Sequence, residues 1–140
     1  VTISRKATLS GAATVTAGGA SADAARCLVL KVGHADVAVR GMDSEESDGR
    51  DAYGTFNGMA MSIVIRNAMA PAKQAEVLIH ELLHACFEAY QIKGRGLTEE
   101  DVCTRLAPAL ACVLRDNPAL PALLLQGLTG LAIFPPAAAA

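Results

Sequence analysis

The chain has no tryptophan, and aromatic residues make up only 4% of its 140 residues. A core of large stacked rings is therefore excluded, and small aliphatic side chains around a few helices are expected instead. Charge is scarce as well, at 19% Asp, Glu, Lys and Arg with a formal net charge of −2. There is no basic stripe of the kind that reads a phosphate backbone, so no nucleic-acid partner is expected. No cysteine pair has C-x-x-C spacing among Cys27, Cys86, Cys103 and Cys112. Three of the four fall in stretches that read as buried helix, so all are expected as reduced thiols, which fits a cytoplasmic setting. The apolar stretch from Ala119 to Phe134 is broken by Pro121, Gln126 and two glycines. It is too short to span a bilayer, and no membrane partner is expected. A glycine-rich phosphate loop, a Ser-His-Asp set and a reactive-cysteine signature are all missing.

What is present divides into an arm, one domain and a tail. Residues 1–25 are rich in Ala, Gly, Ser and Thr and read as a flexible N-terminal arm. Arg5 and Lys6 followed by Ala20-Ser21-Ala22 give it a superficial secretory look, but between them only Leu9 and Val15 are large aliphatics, which excludes a signal h-region. Residues 26–130 are expected to form the domain, and 131–140 a loose C-terminal tail. Within the domain, Cys27 to Val32 and Asp36 to Arg40 read as a β-hairpin turning at Gly33-His34. Asp43 to Asp51 reads as a solvated acidic loop. It fails as a calcium loop because its glycine falls one position late and no glutamate closes it.

Ala60 to Arg66 is the strongest strand signal. A helix is expected from about Pro71 to Gln91, with Leu78, Leu82, Ala85, Cys86 and Ala89 facing inward and Gly94 and Gly96 ending it. Thr98 with Asp101 caps a second helix running to Asp116, whose inward residues are expected to be Val102, Cys103, Leu106, Ala107, Leu110 and Val113. Asn117-Pro118 stops it, and a short helix over Leu120 to Leu128 follows.

The sharpest chemical signal is His80-Glu81-Leu82-Leu83-His84. With three histidines in the chain, two of them four apart with a glutamate directly after the first arise by chance in roughly 0.3% of such sequences. On a helix, residues four apart lie about 40° apart and one turn apart in height, so both imidazoles can reach one tetrahedral cation. Glu81 then lies on the adjoining flank. Zinc makes a water acidic enough to lose its proton near neutral pH, and an unligated carboxylate is suited to accept it. Histidines satisfied within a core are the plainer reading, but charged groups in so apolar a helix favour a metal site.

The segments Leu78 to Ala85, Leu97 to Glu100, Leu106-Ala107 and Val113 to Pro118 together resemble small zincin-like proteins encoded by bacteriophages. More distantly they are similar to the ImmA/IrrE and other minimal gluzincin-like peptidases. The resemblance runs from about Tyr53 to Leu120. It implies a zinc-dependent peptidase with Glu81 as general base and a glutamate on the following helix as third zinc ligand. It also implies that the strand before the metal helix, here Ala60 to Arg66, is an edge strand on which a peptide could lie.

The third ligand is open on the residues themselves. A metzincin pattern would need glycine at 87 and histidine at 90, which are Phe87 and Tyr90. Glu100 is the leading candidate, with Glu99, His34 and Glu88 behind it. For Glu100 to reach the metal, the loop 92–97 must run back along the first helix. The expected architecture is α+β: a small sheet, the His80–His84 helix packed on it, and a second helix covering the site. The expected function is peptide-bond hydrolysis with zinc as cofactor and a peptide or protein as substrate, in the cytoplasm of a phage-infected bacterium. The alternative is a zincin-like structural or regulatory module, a virion component with a phage protein partner, that uses zinc as a staple. Tyr53, Tyr90 and His34 are further candidates for stabilising a reaction intermediate, though no spacing singles one out.

Overall fold

A computed structural model describes residues 27–43 and 53–136. The N-terminal arm, all but Asp43 of the acidic loop, and residues 137–140 lie outside them. The chain folds as α+β, with a four-stranded mixed sheet and three helices. Strands β1 (Cys27–Val32) and β2 (Ala35–Met42) form the expected hairpin, joined through Gly33, whose φ of 61° suits glycine. Strand β3 (Gly54–Asn57) pairs antiparallel with β4 (Ser62–Arg66), and β4 pairs parallel with β2, so the sheet order is β1-β2-β4-β3.

This order corrects one expectation. The strand that directly precedes the first helix lies inside the sheet, between β2 and β3, and the edge is β3. Nothing in the local pattern of residues 54–57 marks a strand, because Gly-Thr-Phe-Asn is too short to show an alternation. It becomes one by pairing across a turn in which Asn57 Oδ1 accepts from the N–H groups of Met59 and Ala60, each at 3.0 Å.

One face of the sheet is buried. Leu30, Val32, Val37, Val39, Ile63 and Ile65 alternate inward along three strands and meet Leu78, Leu82, Ala85 and Cys86 of helix α1 (Pro71–Ala89). Pro71 occupies the first turn, where its missing N–H costs nothing. The glycines expected to end α1 do not do so. Gln91 adopts the left-handed conformation at φ 52°, Ile92 N–H donates to the Phe87 carbonyl at 2.9 Å, and Gln91 N–H to that of Glu88 at 3.3 Å. This is a Schellman ending, secured by the burial of Ile92 rather than by a glycine.

Helix α2 (Glu99–Asp116) starts at the expected cap: Thr98 Oγ1 accepts from Asp101 N–H, and Asp101 reaches back to Thr98 N–H. Its buried residues are Ala109 and Val113, with Val102, Leu106 and Leu110 half-buried. Cys103 and Ala107, expected inside, are exposed because the inward stripe follows 102, 106, 109 and 113. Cys86 is the buried thiol, Cys112 is half-buried, Cys27 and Cys103 are exposed, and all four are free. Helix α2 packs on β1. Asn117 fixes it there: its Oδ1 accepts from Lys31 N–H at 2.7 Å and its Nδ2 donates to the Lys31 carbonyl at 2.8 Å, imitating a paired strand.

Helix α3 (Leu120–Leu128) lies across the N-terminal half of α1, with Gly127 close against Ala75. Beyond it, residues expected as a loose tail from 131 onward include a packed pair, since Ile133 and Phe134 are buried. Gln74 of α1 holds them. Its Oε1 accepts from both their N–H groups at 3.1 and 3.0 Å, and its Nε2 donates to the carbonyls of Phe134, Asn67 and Met69. No helix among the described residues is long and apolar enough to cross a membrane.

Candidate metal and hydrolytic site

His80, Glu81 and His84 lie in the second half of α1. The side of α1 next to β3 is set by close contacts: a Cβ on Gly54 would fall 2.5 Å from Val77 Cγ1 and 3.2 Å from Glu81 Cγ. Further along, Gly58 abuts Glu88. Strand β3 therefore runs in the same direction as α1, beside the ridge that carries Val77, Glu81, His84 and Glu88.

Both histidines are exposed, and their rings meet edge to face with centroids 4.8 Å apart. The two Nε2 atoms are 3.2 Å apart. Two zinc–nitrogen bonds at a tetrahedral angle would place them about 3.3–3.4 Å apart. The separation of the pair therefore matches the bite of a bidentate chelate. Without a cation, one ring's N–H can donate to the other's lone pair at the same separation.

Glu81 is the unusual member. The residue is only 6% exposed, and its Cγ lies against Gly54. Among the described residues no hydrogen bond or ion pair reaches its carboxylate, yet neither oxygen is sealed from solvent. A nearly buried carboxylate without a protein partner is costly.

The other candidates are not gathered with this pair. Among the described residues no third His, Cys, Asp or Glu joins the two histidines in a group able to hold a metal. Glu100 and Glu99 are exposed on the first turn of α2, where Glu100 Oε1 accepts from Thr104 Oγ1 at 3.1 Å. Helix α2 was expected over the histidines, but it packs on β1, at the opposite edge of the sheet from β3. The loop 92–97 does not fold back, and Arg105 reaches the Gln91 carbonyl beyond the end of α1. Glu88 forms an ion pair with Lys93. His34 sits in the β1–β2 turn, whose Gly33 abuts Ala89 and Tyr90, about one and a half turns of α1 past His84.

Of the candidates for intermediate stabilisation, Tyr90 is at that far end, where burial and the neighbouring Cys112 thiol push its phenol up. Tyr53 is nearer, directly before Gly54, with Lys73 Nζ 5.6 Å from its ring centre and the Arg66 guanidinium carbon 5.9 Å away. No local sequence pattern marks Lys73 or the β3 edge.

No family model, curated protein or solved structure matches the chain.

Proposed function

We propose that the protein is a zincin-like, zinc-dependent peptidase in which His80 and His84 hold the metal and Glu81 is the general base. One observation carries the reading: two imidazole nitrogens at chelating separation, next along the helix to a nearly buried carboxylate that has no partner among the described residues. When bound, zinc supplies Lewis acidity, polarising a carbonyl and making a water acidic enough to ionise near neutral pH.

The rest follows from the chain. Glu81 accepts the proton through whichever carboxylate oxygen faces solvent, and its packing against Gly54 fixes where that oxygen sits. Substrate can lie on β3. Arg66 N–H donates to the Tyr53 carbonyl at 3.0 Å, so Tyr53, and by alternation Thr55 and Asn57, turn their backbone groups toward β4. Gly54 and Phe56 turn theirs outward, leaving two donor–acceptor sets free to pair with an extended peptide beside Glu81. Glu100 enters this reading as the third ligand only through a movement of α2. Zinc affinity of Glu100→Gln tests that directly.

The experiment for the reading as a whole measures zinc content and cleavage of a diverse peptide library by wild type, His80→Ala and Glu81→Gln. One zinc per wild-type chain, its loss in His80→Ala, and cleavage lost in a zinc-loaded Glu81→Gln protein are the expected results. Full zinc in His80→Ala would reject the metal site. Zinc binding without any cleavage would leave a zinc-holding module without activity.

A further inference from the structure

Lys73 stands on the same stripe of α1 as the two histidines. Seven residues are 700° of helix, so Lys73 and His80 lie about 20° apart in projection and about 10 Å apart along the axis. Lys73 and His84 differ by about 20° in the other direction. The stripe at Lys73 also borders β3, because its ammonium lies 5.6 Å from the ring centre of Tyr53, the residue before Gly54. Tyr53 is exposed, and the Arg66 guanidinium lies near the same ring. One end of the β3 edge therefore carries an exposed ring with a lysine ammonium beside it. At its other end Gly58 abuts Glu88.

We propose that Lys73 with Tyr53 forms a carboxylate-recognising subsite, which selects peptides carrying a carboxylate on the C-terminal side of the cleaved bond. The proposal rests on the peptidase reading above and adds a substrate class to it. Strand β3 runs with α1, so a peptide added antiparallel to β3 directs its C-terminal half toward Tyr53 and Lys73. Antiparallel addition is favoured because parallel pairing is slightly less stable per residue. An extended chain advances about 3.4 Å per residue, so the 10 Å from His80 to Lys73 spans about three residues. Lysine side chains on a helix lean toward its N-terminus, which moves the ammonium slightly further from the histidines. The recognised group is therefore an acidic side chain, or the free C-terminus, about three residues beyond the reacting bond. Glu76 Oε1 holds Lys73 Nζ at 2.7 Å, but both side chains are exposed, and a pair of this kind is readily exchanged for a ligand carboxylate.

The test uses zinc-loaded Glu81→Gln protein, so that binding is read without cleavage. Fluorescent eight-residue peptides differ only in Glu against Gln at one position, scanned along the chain, each with a free or an amidated C-terminus. At the preferred placement, the carboxylate peptide is expected to bind about threefold to fivefold more tightly than its neutral twin. Adding Lys73→Glu should reverse that preference, and Glu76→Gln should enlarge it. The amidated arm separates a side-chain carboxylate from the terminal one. Equal affinity for charged and neutral peptides, a preference unmoved by Lys73→Glu, or no binding of any peptide would overturn the subsite. Wild-type cleavage is read separately. Cleavage without a carboxylate preference rejects only the subsite. Lys73-dependent carboxylate binding without cleavage rejects only the peptidase.

Discussion

Gln74 and Glu81 stand seven residues apart on α1, on nearly the same face, and both are polar side chains taken out of water. Their surroundings differ in kind. Gln74 is fully buried and uses both ends of its amide, accepting from two backbone N–H groups and donating toward three carbonyls. Glu81 has none of this among the described residues, although burying a carboxylate costs more than burying an amide. Burial alone therefore does not separate structural from chemical roles on this helix. Satisfaction of the buried group does: Gln74 ties the segment after α3 to the core, while Glu81 has no such partner among the described residues.

The largest expected effect breaks the comparison at its chemical end. Glu81→Gln should lower peptide hydrolysis by about 10²–10⁴-fold with zinc content unchanged, the range for losing a general base. Undiminished hydrolysis in that variant would return Glu81 to the same class as Gln74. Next comes the structural end. Gln74→Leu leaves two buried N–H groups and their neighbouring carbonyls without partners, and should cost about 2–4 kcal/mol in denaturant unfolding. The same replacement at position 81 removes a nearly buried carboxylate without a partner among the described residues, and should leave stability unchanged or raise it by about 1 kcal/mol. Equal losses at both sites would mean that Glu81 has a stabilising partner after all.

Gly54→Ala sharpens the comparison from the sheet side. The added methyl would meet Val77 and Glu81, so a destabilisation of about 1–3 kcal/mol is expected, with the β3 edge displaced from α1. Hydrogen exchange at Gly54 and Phe56 would report that displacement. The smallest effect lies away from the site. Hydrogen bonds from the Thr98 hydroxyl and N–H hold the Asp101 carboxyl below the ordinary aspartate range. A depressed folded value means that this stabilisation is fully present above the unfolded value of about 3.9 and fades as pH falls through the folded one. Helix content measured from pH 5 downward should show wild type losing its advantage over Asp101→Asn in that window.

Local pattern made much of the fold legible. The β1–β2 hairpin, the helix from Pro71, the Thr98–Asp101 cap and the short helix after Pro118 all rest on nearest-neighbour physics, namely alternation, fixed proline φ and side-chain capping. What escaped depended on distant partners. Strand β3 exists through β4, the Gln91 ending is secured by the burial of Ile92, and the packing of Ile133 and Phe134 depends on Gln74, about sixty residues earlier.

The candidate site divides in the same way. That His80 and His84 share a face with Glu81 on the adjoining flank is decided by 3.6 residues per turn, and the sequence alone is enough to state it. Tertiary structure decided what surrounds them. Gly54 closes over Glu81, α2 goes to β1 because Asn117 pairs with Lys31 there, and Lys73 meets Tyr53 beside the open edge. Helical periodicity is local and can be counted along the chain. Which edge stays open, and which carboxylate stays unpaired, depends on the free energy of packing segments that the sequence keeps far apart.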